Sequence, residues 1–239
     1  MMTIEYDIQF ESDFHIGSGF GIPGIADNLI VKDATGVPYI PGTTIKAMLR
    51  DSAETVCDLL EIPRCDGEPG TNDDGSQKTL CGVTQLDNVC PICIIFGSRF
   101  TPASFAFESA RYEEDFQKVV HSRSLRPIIR SLTRTETHNR IDRWTGTAQK
   151  DFLFTHELGI HDHPFSGRIV QVMALKNELL EGSENLLSIA LNFTERIGGK
   201  RRRGKGKCAF LIDQTQKPDC ALAETWIRSV QNNFSPKAE

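Results

Sequence analysis

The sequence predicts an α+β domain, a β-sheet with its helices on one face. Three observations predict it. Apolar residues alternate with polar ones at Ile4, Tyr6, Ile8 and Phe10, as in a half-buried strand. Two later segments, from Ile45 to Leu60 and from Leu186 to Ile197, carry apolar residues at helical spacing. Short strand-like runs lie between and after those helices, with no internal repeat.

Taken in order, the first strand is followed by a glycine-rich stretch, Gly17, Gly19, Gly21 and Gly24. A second apolar run, Leu29-Ile30-Val31, reads as a short strand closed by a turn at Asp33-Ala-Thr-Gly36. Pro38 and Pro41-Gly42 keep the next segment extended or turned. Thr43 or Thr44 can cap the first helix, whose buried face would carry Ile45, Met48, Leu49, Ala53, Val56, Leu59 and Leu60, ending near Pro63. Residues 62–96 read as an insertion, most of it polar, rich in Gly and Asp and cysteine-bearing. Phe105-Ala-Phe-Glu-Ser is a short strand, and from residue 123 to 143 the chain turns basic and irregular. Phe152-Leu-Phe and residues 168–175 are strand candidates. Ser183 can cap the second helix, Cys208 to Ile212 is a strand, and a last helix around residues 221–230 precedes a tail expected to be disordered.

The chain has 239 residues, 39% of them hydrophobic, enough for a sizeable core. No run approaches the roughly 18–20 apolar residues of a membrane span. The first residues, Met1-Met2-Thr3-Ile4-Glu5-Tyr6-Asp7, lack a basic and then apolar leader, so the protein is expected in the cytoplasm. Seven cysteines, an odd number, favour reduced thiols or a metal site over a disulfide framework.

Charge is the most informative feature. Residues 196–207 hold seven cations and four glycines on a chain of net charge −5. A nucleotide P-loop needs its glycines before a helix and a Gly-Lys-Ser/Thr ending. Here they follow a helix and the ending is Gly204-Lys-Gly-Lys-Cys208. A linear phosphate backbone fits better, because glycines permit close approach while Lys200, Arg201, Arg202, Arg203 and Lys205 follow successive phosphates. Cys90-Pro-Ile-Cys93 has zinc-knuckle spacing, and Cys65 and Cys81 can complete a four-thiolate site, with Cys57 the rival ligand. A redox role is disfavoured, since such a motif should open a helix after a strand. His156, His161 and His163 beside Asp162 read as a solvated loop before they read as a metal site. Asp27, a carboxylate among glycines, can accept a proton or hold a divalent ion near phosphate, and taken alone is an ordinary turn residue.

The ordered segments carry a resemblance. They are His15-Ile-Gly-Ser-Gly19, Ile25-Ala-Asp27-Asn-Leu-Ile-Val-Lys-Asp33, Gly36-Val-Pro-Tyr-Ile-Pro-Gly-Thr-Thr-Ile-Lys46 and Met48-Leu-Arg50, then Cys93-Ile-Ile-Phe-Gly97, Thr135-Glu-Thr-His-Asn-Arg-Ile-Asp-Arg143 and the glycine loop. Together they resemble the RAMP superfamily of CRISPR proteins, and in particular the backbone subunit of type III effector complexes. The resemblance implies one domain over residues 1–239, a ferredoxin-like, RNA-recognition-type palm with a zinc-bearing insertion and a β-hairpin thumb at about residues 133–154. It implies a guide RNA, a target RNA, other subunits and further copies of the same chain as partners. It also implies cleavage of target RNA at regular intervals with Mg²⁺ or Mn²⁺. By position, Asp27 matches the catalytic carboxylate and Lys46 and Arg50 match guide-phosphate contacts, while Arg134, Arg140 and Arg143 lie in the thumb. Structural zinc would sit on Cys65, Cys81, Cys90 and Cys93. The glycine loop is more basic here than the family pattern, and some family members serve only as scaffold. A precursor-processing nuclease and a binder of acidic protein are the remaining alternatives.

Overall fold

A computed structural model of the chain describes residues 2–67, 70–71, 75, 78, 80–82, 89–120, 126–212 and 220–234. The expected tail, residues 235–239, part of the insertion, and residues 121–125 of the basic stretch lie outside these. In chain order the elements are β1 (Thr3–Phe10), α1 (Gly42–Leu59), α2 (Pro91–Phe96), β2 (Phe105–Phe107), β3 (Arg111–Tyr112), α3 (Glu114–Val120) and α4 (Arg126–Ser131). They continue with β4 (Thr133–Ile141), β5 (Ala148–Gly159), β6 (Phe165–Gln171), α5 (Asn177–Phe193), β7 (Cys208–Ile212) and α6 (Cys220–Phe234).

The main sheet runs β2-β6-β1-β7, with β3 also on β6, and every pairing is antiparallel. The strand that alternates most cleanly in sequence is central: Ile4, Tyr6, Ile8 and Phe10 all face the core. Their partners include Ile45 and Leu49 of α1 and Leu186, Leu187, Ala190 and Leu191 of α5, in one continuous cluster. Each fully buried Leu, Ile or Phe among these contributes about 1.5–3 kcal/mol. Phe165 of β6 anchors the end of the sheet, in edge contact with Phe10 and Phe14 at 5.9 and 5.4 Å and against Tyr112 at 4.2 Å.

β4 and β5 form a separate two-stranded hairpin whose distal part is exposed on both strands. Its root is fixed by Phe14, which exchanges two backbone hydrogen bonds with Gly159 at 3.0 and 2.8 Å. A Cβ at Gly159 would lie 2.2 Å from the Phe14 ring, so only glycine admits that ring.

Several sequence expectations shift. Leu29-Ile30-Val31 is not a strand: Ile30 makes a single bridge to Gly17, and the flanking Asn28 and Lys32 make single bridges to His156 and Pro38, so no continuous edge forms. Helix α1 starts at Gly42 after Pro41, without a side-chain cap. Helix α5 starts at Asn177, so Ser183 is not its cap but a buried interior residue. The strand expected over residues 168–175 begins and ends earlier, as β6. The stretch read as irregular contains α4 and β4. The last six residues of the expected insertion form α2, and all six side chains are buried, so the core resumes at Pro91.

Candidate nucleic-acid interface

Asp27 sits on the turn that closes the glycine-rich stretch, zipped to the middle of β5. Its backbone N–H donates to the Thr155 carbonyl at 2.9 Å, and the Thr155 N–H donates back to Asp27 Oδ2 at 2.7 Å. Glu157 N–H donates to the Asn28 carbonyl at 2.9 Å, and Ile30 N–H donates to the buried Glu157 carboxylate at 3.2 Å, which also pairs with Lys32. The Asp27 side chain is exposed, and Oδ1 has no partner among the described residues. On the opposite side the turn presses on Gly21, where a Cβ would lie 2.3 Å from the Asp27 carbonyl oxygen.

The basic loop reaches the same hairpin. Its ends are joined by an Arg196–Lys207 bridge and by Ile197 N–H donating to the Gly206 carbonyl at 2.9 Å. Gly206 has φ +71°, and a Cβ there would lie 2.0 Å from the Ile197 oxygen, so this closure requires glycine. Gly199 and Gly206 donate to the carbonyls of His15 and Asp13 at 2.7 and 2.8 Å, seating the loop on the segment after β1. Between them Arg201, Arg202 and Arg203 form one exposed 3₁₀ turn. Lys200 precedes it in the left-handed region, φ 62°, which costs a non-glycine residue about 1 kcal/mol.

The cations differ in what they touch. Arg203 lies over the Phe154 ring at 5.8 Å and Arg140 over Phe152 at 5.2 Å, both on the hairpin. Lys205 pairs with Glu136 at 2.8 Å and holds that carboxyl below the usual range. Arg134 pairs with the buried Asp13, which also binds His161 at 2.9 Å. Arg143 is exposed at the hairpin end beside Trp144, which is 97% exposed. Thus the structure brings Asp27, Arg134, Lys200, Arg203 and Lys205 onto one hairpin. Lys46 and Arg50 are elsewhere, in a groove of about 700 Å³ with Glu54, Gly97 and Arg99. Arg50 there donates to Glu54 at 2.9 Å and to the Gly97 carbonyl at 3.2 Å.

Sequence reasoning missed His156. Expected in a solvated loop, it lies in β5 and is 4% exposed. Its Nδ1 is 3.0 Å from the Asn28 amide and its Nε2 is 2.9 Å from Lys200 Nζ. Burial, then the Lys200 charge, lowers its pKa and keeps the ring neutral. His163 instead packs against Phe116, the two rings tilted with centroids 4.2 Å apart. The only sequence signal for His156 was its place next to Phe152-Leu-Phe, which says strand but not partner.

The cysteines form a second centre. The Sγ atoms of Cys65, Cys81, Cys90 and Cys93 all lie within 4.8 Å of one another and are buried. Cys65 is 3.4 Å from Cys93 and 3.7 Å from Cys90. Four sulfurs about 2.3 Å from a tetrahedral zinc would be about 3.8 Å apart, so the set fits a tetrathiolate site. Cys90 is held down at about 5 by the hydrogen bond from Cys93, whereas burial pushes Cys81 up to about 12. Without a cation the four cannot all ionise together. Cys57 is a separate buried residue of α1, its thiol pushed up to about 12 by burial. The Cys90-Pro-Ile-Cys93 motif does open a helix, α2, contrary to expectation, but among the described residues no strand leads directly into it, and both thiols face Cys65.

These features define a class: an α+β protein with a cationic surface for a polyanion and a distinct tetrathiolate pocket. Residues 7–209 match the RAMP superfamily, and the chain belongs to that family. It is 26% identical over 218 residues to the CRISPR system Cms endoribonuclease Csm3 of Methanocaldococcus jannaschii, covering 87% of this chain and 78% of the relative. Its fold is similar to a chain of the type III-B Cmr-beta complex in the apo state, with TM-score 0.58 and 12% identity over 89% of this chain and 98% of that one. It is also similar to a chain of Cmr-beta bound to cognate target RNA, with TM-score 0.61 and 11% identity over 89% of this chain and 97% of that one. Among the described residues no helix is long and apolar enough to cross a membrane.

Proposed function

We propose that this chain is a guide-RNA-binding backbone subunit of a type III CRISPR effector complex, and that it cleaves target RNA paired to the guide. The observation that carries the reading is the convergence of an exposed carboxylate, Asp27, and a cationic glycine loop on one hairpin. The strand order β2-β6-β1-β7, with α1 and α5 as crossovers, supports a ferredoxin-like palm. The β4–β5 hairpin is then the thumb, and the cysteine cluster holds a structural zinc that stabilises the insertion.

Base pairing with the guide supplies sequence specificity, so the protein need only recognise backbone and shape. That suits surface cations without an aromatic platform on the sheet. In cleavage the 2′-oxygen of a displaced target nucleotide bonds to the adjacent phosphorus and the bond to the 5′-oxygen breaks. The 2′ proton is lost to a base and the 5′-oxygen is protonated. The products are a 2′,3′-cyclic phosphate and a 5′-hydroxyl. A duplex denies the in-line geometry; splaying one nucleotide beside the hairpin supplies it. Asp27 Oδ2 is occupied by Thr155, which aims the free Oδ1 outward to orient or deprotonate the 2′-hydroxyl. Oδ1 could equally face Mg²⁺ or Mn²⁺, which when bound would neutralise charge at the scissile phosphate.

Asp27→Asn tests this reading, because asparagine can still accept the Thr155 hydrogen bond. The assembled complex carrying it should retain guide and target RNA and lose cleavage at least 100-fold. Normal cleavage by the variant would remove Asp27 from the chemistry, and an inert wild-type complex would leave a scaffold.

A further inference from the structure

We infer that Lys200 belongs to the cleavage centre and not to the guide clamp, and that His156 holds it there. The inference rests on the cleavage reading above.

Three observations meet at Lys200. Its backbone is left-handed, φ 62° and ψ 18°, in a loop that places glycine at four other positions. Glycine adopts this conformation freely, so the fold requires something of the lysine side chain that outweighs the strain. Second, the side chain points inward: Nζ lies 2.9 Å from His156 Nε2, while Arg201, Arg202 and Arg203 next to it are exposed. Third, His156 passes the connection on. Its other nitrogen is 3.0 Å from the amide of Asn28, the residue after Asp27.

The hydrogen-bond roles follow from the charges. An ammonium only donates, so Nε2 accepts and the ring hydrogen is on Nδ1. The atom of Asn28 placed at Nδ1 is the amide nitrogen Nδ2; with the ring hydrogen on Nδ1 the amide is turned over so that its oxygen accepts, an assignment the bonding partners dictate. The result is a fixed path from the basic loop to the turn bearing Asp27. Burial lowers the pKa of Lys200, with Arg203 adding to the effect, as expected for an ammonium drawn out of solvent. Lys200 keeps two N–H donors that no described residue takes. They can meet a phosphate seated at Asp27, where a fixed positive charge stabilises the extra charge of the pentacoordinate transition state. The loop therefore divides its work. The outer arginines follow a continuous backbone, and the inner ammonium serves the phosphate being cut. His156 is a positioning residue for that ammonium.

Lys200→Gly separates the roles, because glycine relieves the left-handed backbone while removing the charge. The assembled complex with this variant should melt no lower than wild type and bind guide RNA within about 2-fold. Its single-turnover cleavage at saturating target should fall at least 10-fold. His156→Ala should lower the cleavage rate similarly without a matching loss of target affinity, and His156→Gln, which keeps an acceptor for Lys200, should recover part of it. Wild-type cleavage by Lys200→Gly while Asp27→Asn is inactive overturns the Lys200 inference alone. Loss of guide binding in proportion to cleavage also overturns it, returning Lys200 to the clamp. Activity in Asp27→Asn, or inertness of the wild type, overturns the cleavage reading beneath it.

Discussion

Replacing Gly21 with alanine should slow cleavage without changing any charged group or any RNA contact. A Cβ built there lies 2.3 Å from the carbonyl oxygen of Asp27 and 2.8 Å from its carbonyl carbon. Ordinary contact starts near 3.4 Å, so the turn must open by about 1 Å. The Asp27 peptide cannot yield freely, since its N–H is held by Thr155 at 2.9 Å and its side chain by the Thr155 N–H at 2.7 Å. The strain therefore enters the turn itself. A 1 Å misplacement of a reacting group costs about 100-fold in rate, or about 2.7 kcal/mol in the barrier. The assay is single-turnover cleavage of guide-complementary RNA by the assembled complex, with binding of the same RNA measured in parallel. We expect the rate to drop by about 100-fold with binding unchanged. A wild-type rate in a folded Gly21→Ala complex would refute the reasoning, because the carboxylate position would then not matter.

Three further outcomes are expected. Purified protein should hold about one zinc per chain, and Cys93→Ser should abolish it and lower the melting temperature. Full stability after exhaustive chelation would refute the structural site. Changing Arg201, Arg202 and Arg203 together to alanine should weaken guide binding and reduce the salt slope by about 2–3, read from binding titrations over a range of salt. An unchanged slope would place the guide elsewhere. His156 has a folded-state pKa below its ordinary value, because burial disfavours the charged ring. A group of this sign contributes stability that is fully present above the unfolded pKa, about 6.5. That stability is lost as pH falls through the lower folded value. The melting temperature should therefore drop from pH 7.5 to 5.5, and less so in His156→Gln; equal drops would exclude His156 as the source.

What the sequence showed depended on where hydrophobicity falls. β1 was legible from alternation, and β7 as a short apolar run, Cys208-Ala-Phe-Leu-Ile212, after the basic loop. Helix α1 showed its apolar face, though Pro41 in place of a threonine precedes it. β4 was illegible from pattern because both of its faces are largely exposed, so Thr-Arg-Thr-Glu-Thr-His-Asn-Arg carries no periodic apolar signal. Only the family resemblance indicated a hairpin there. Ser183 misled because it lies in the middle of α5, where Gly182 lets Phe234 of α6 approach and the serine is fully buried. Spacing singled out Cys90 and Cys93, whereas Cys65 and Cys81 were separated from the rival Cys57 only by the meeting of the four sulfurs in space. Spacing could not single out His156. Its partners Asn28 and Lys200 lie 128 and 44 residues away in sequence, and no local pattern records such a meeting.

The hairpin also has mechanical properties. Its backbone is bonded to the segment after β1 at its root, by Phe14, and midway, by the turn of Asp27 and Asn28. Beyond Thr155, β5 continues for seven residues, Ala148 to Phe154, an arm that Arg203 touches at its base, over Phe154, and that is roughly 23 Å long at about 3.3 Å per residue. Pivoting the arm by about 5° would carry its end through roughly 2 Å over that length. The same pivot leaves the carboxylate nearly still, because Asp27 sits at the fulcrum. The end of the lever can thus follow irregularities in a nucleic acid while the turn bearing Asp27, the proposed cutting point, remains in register.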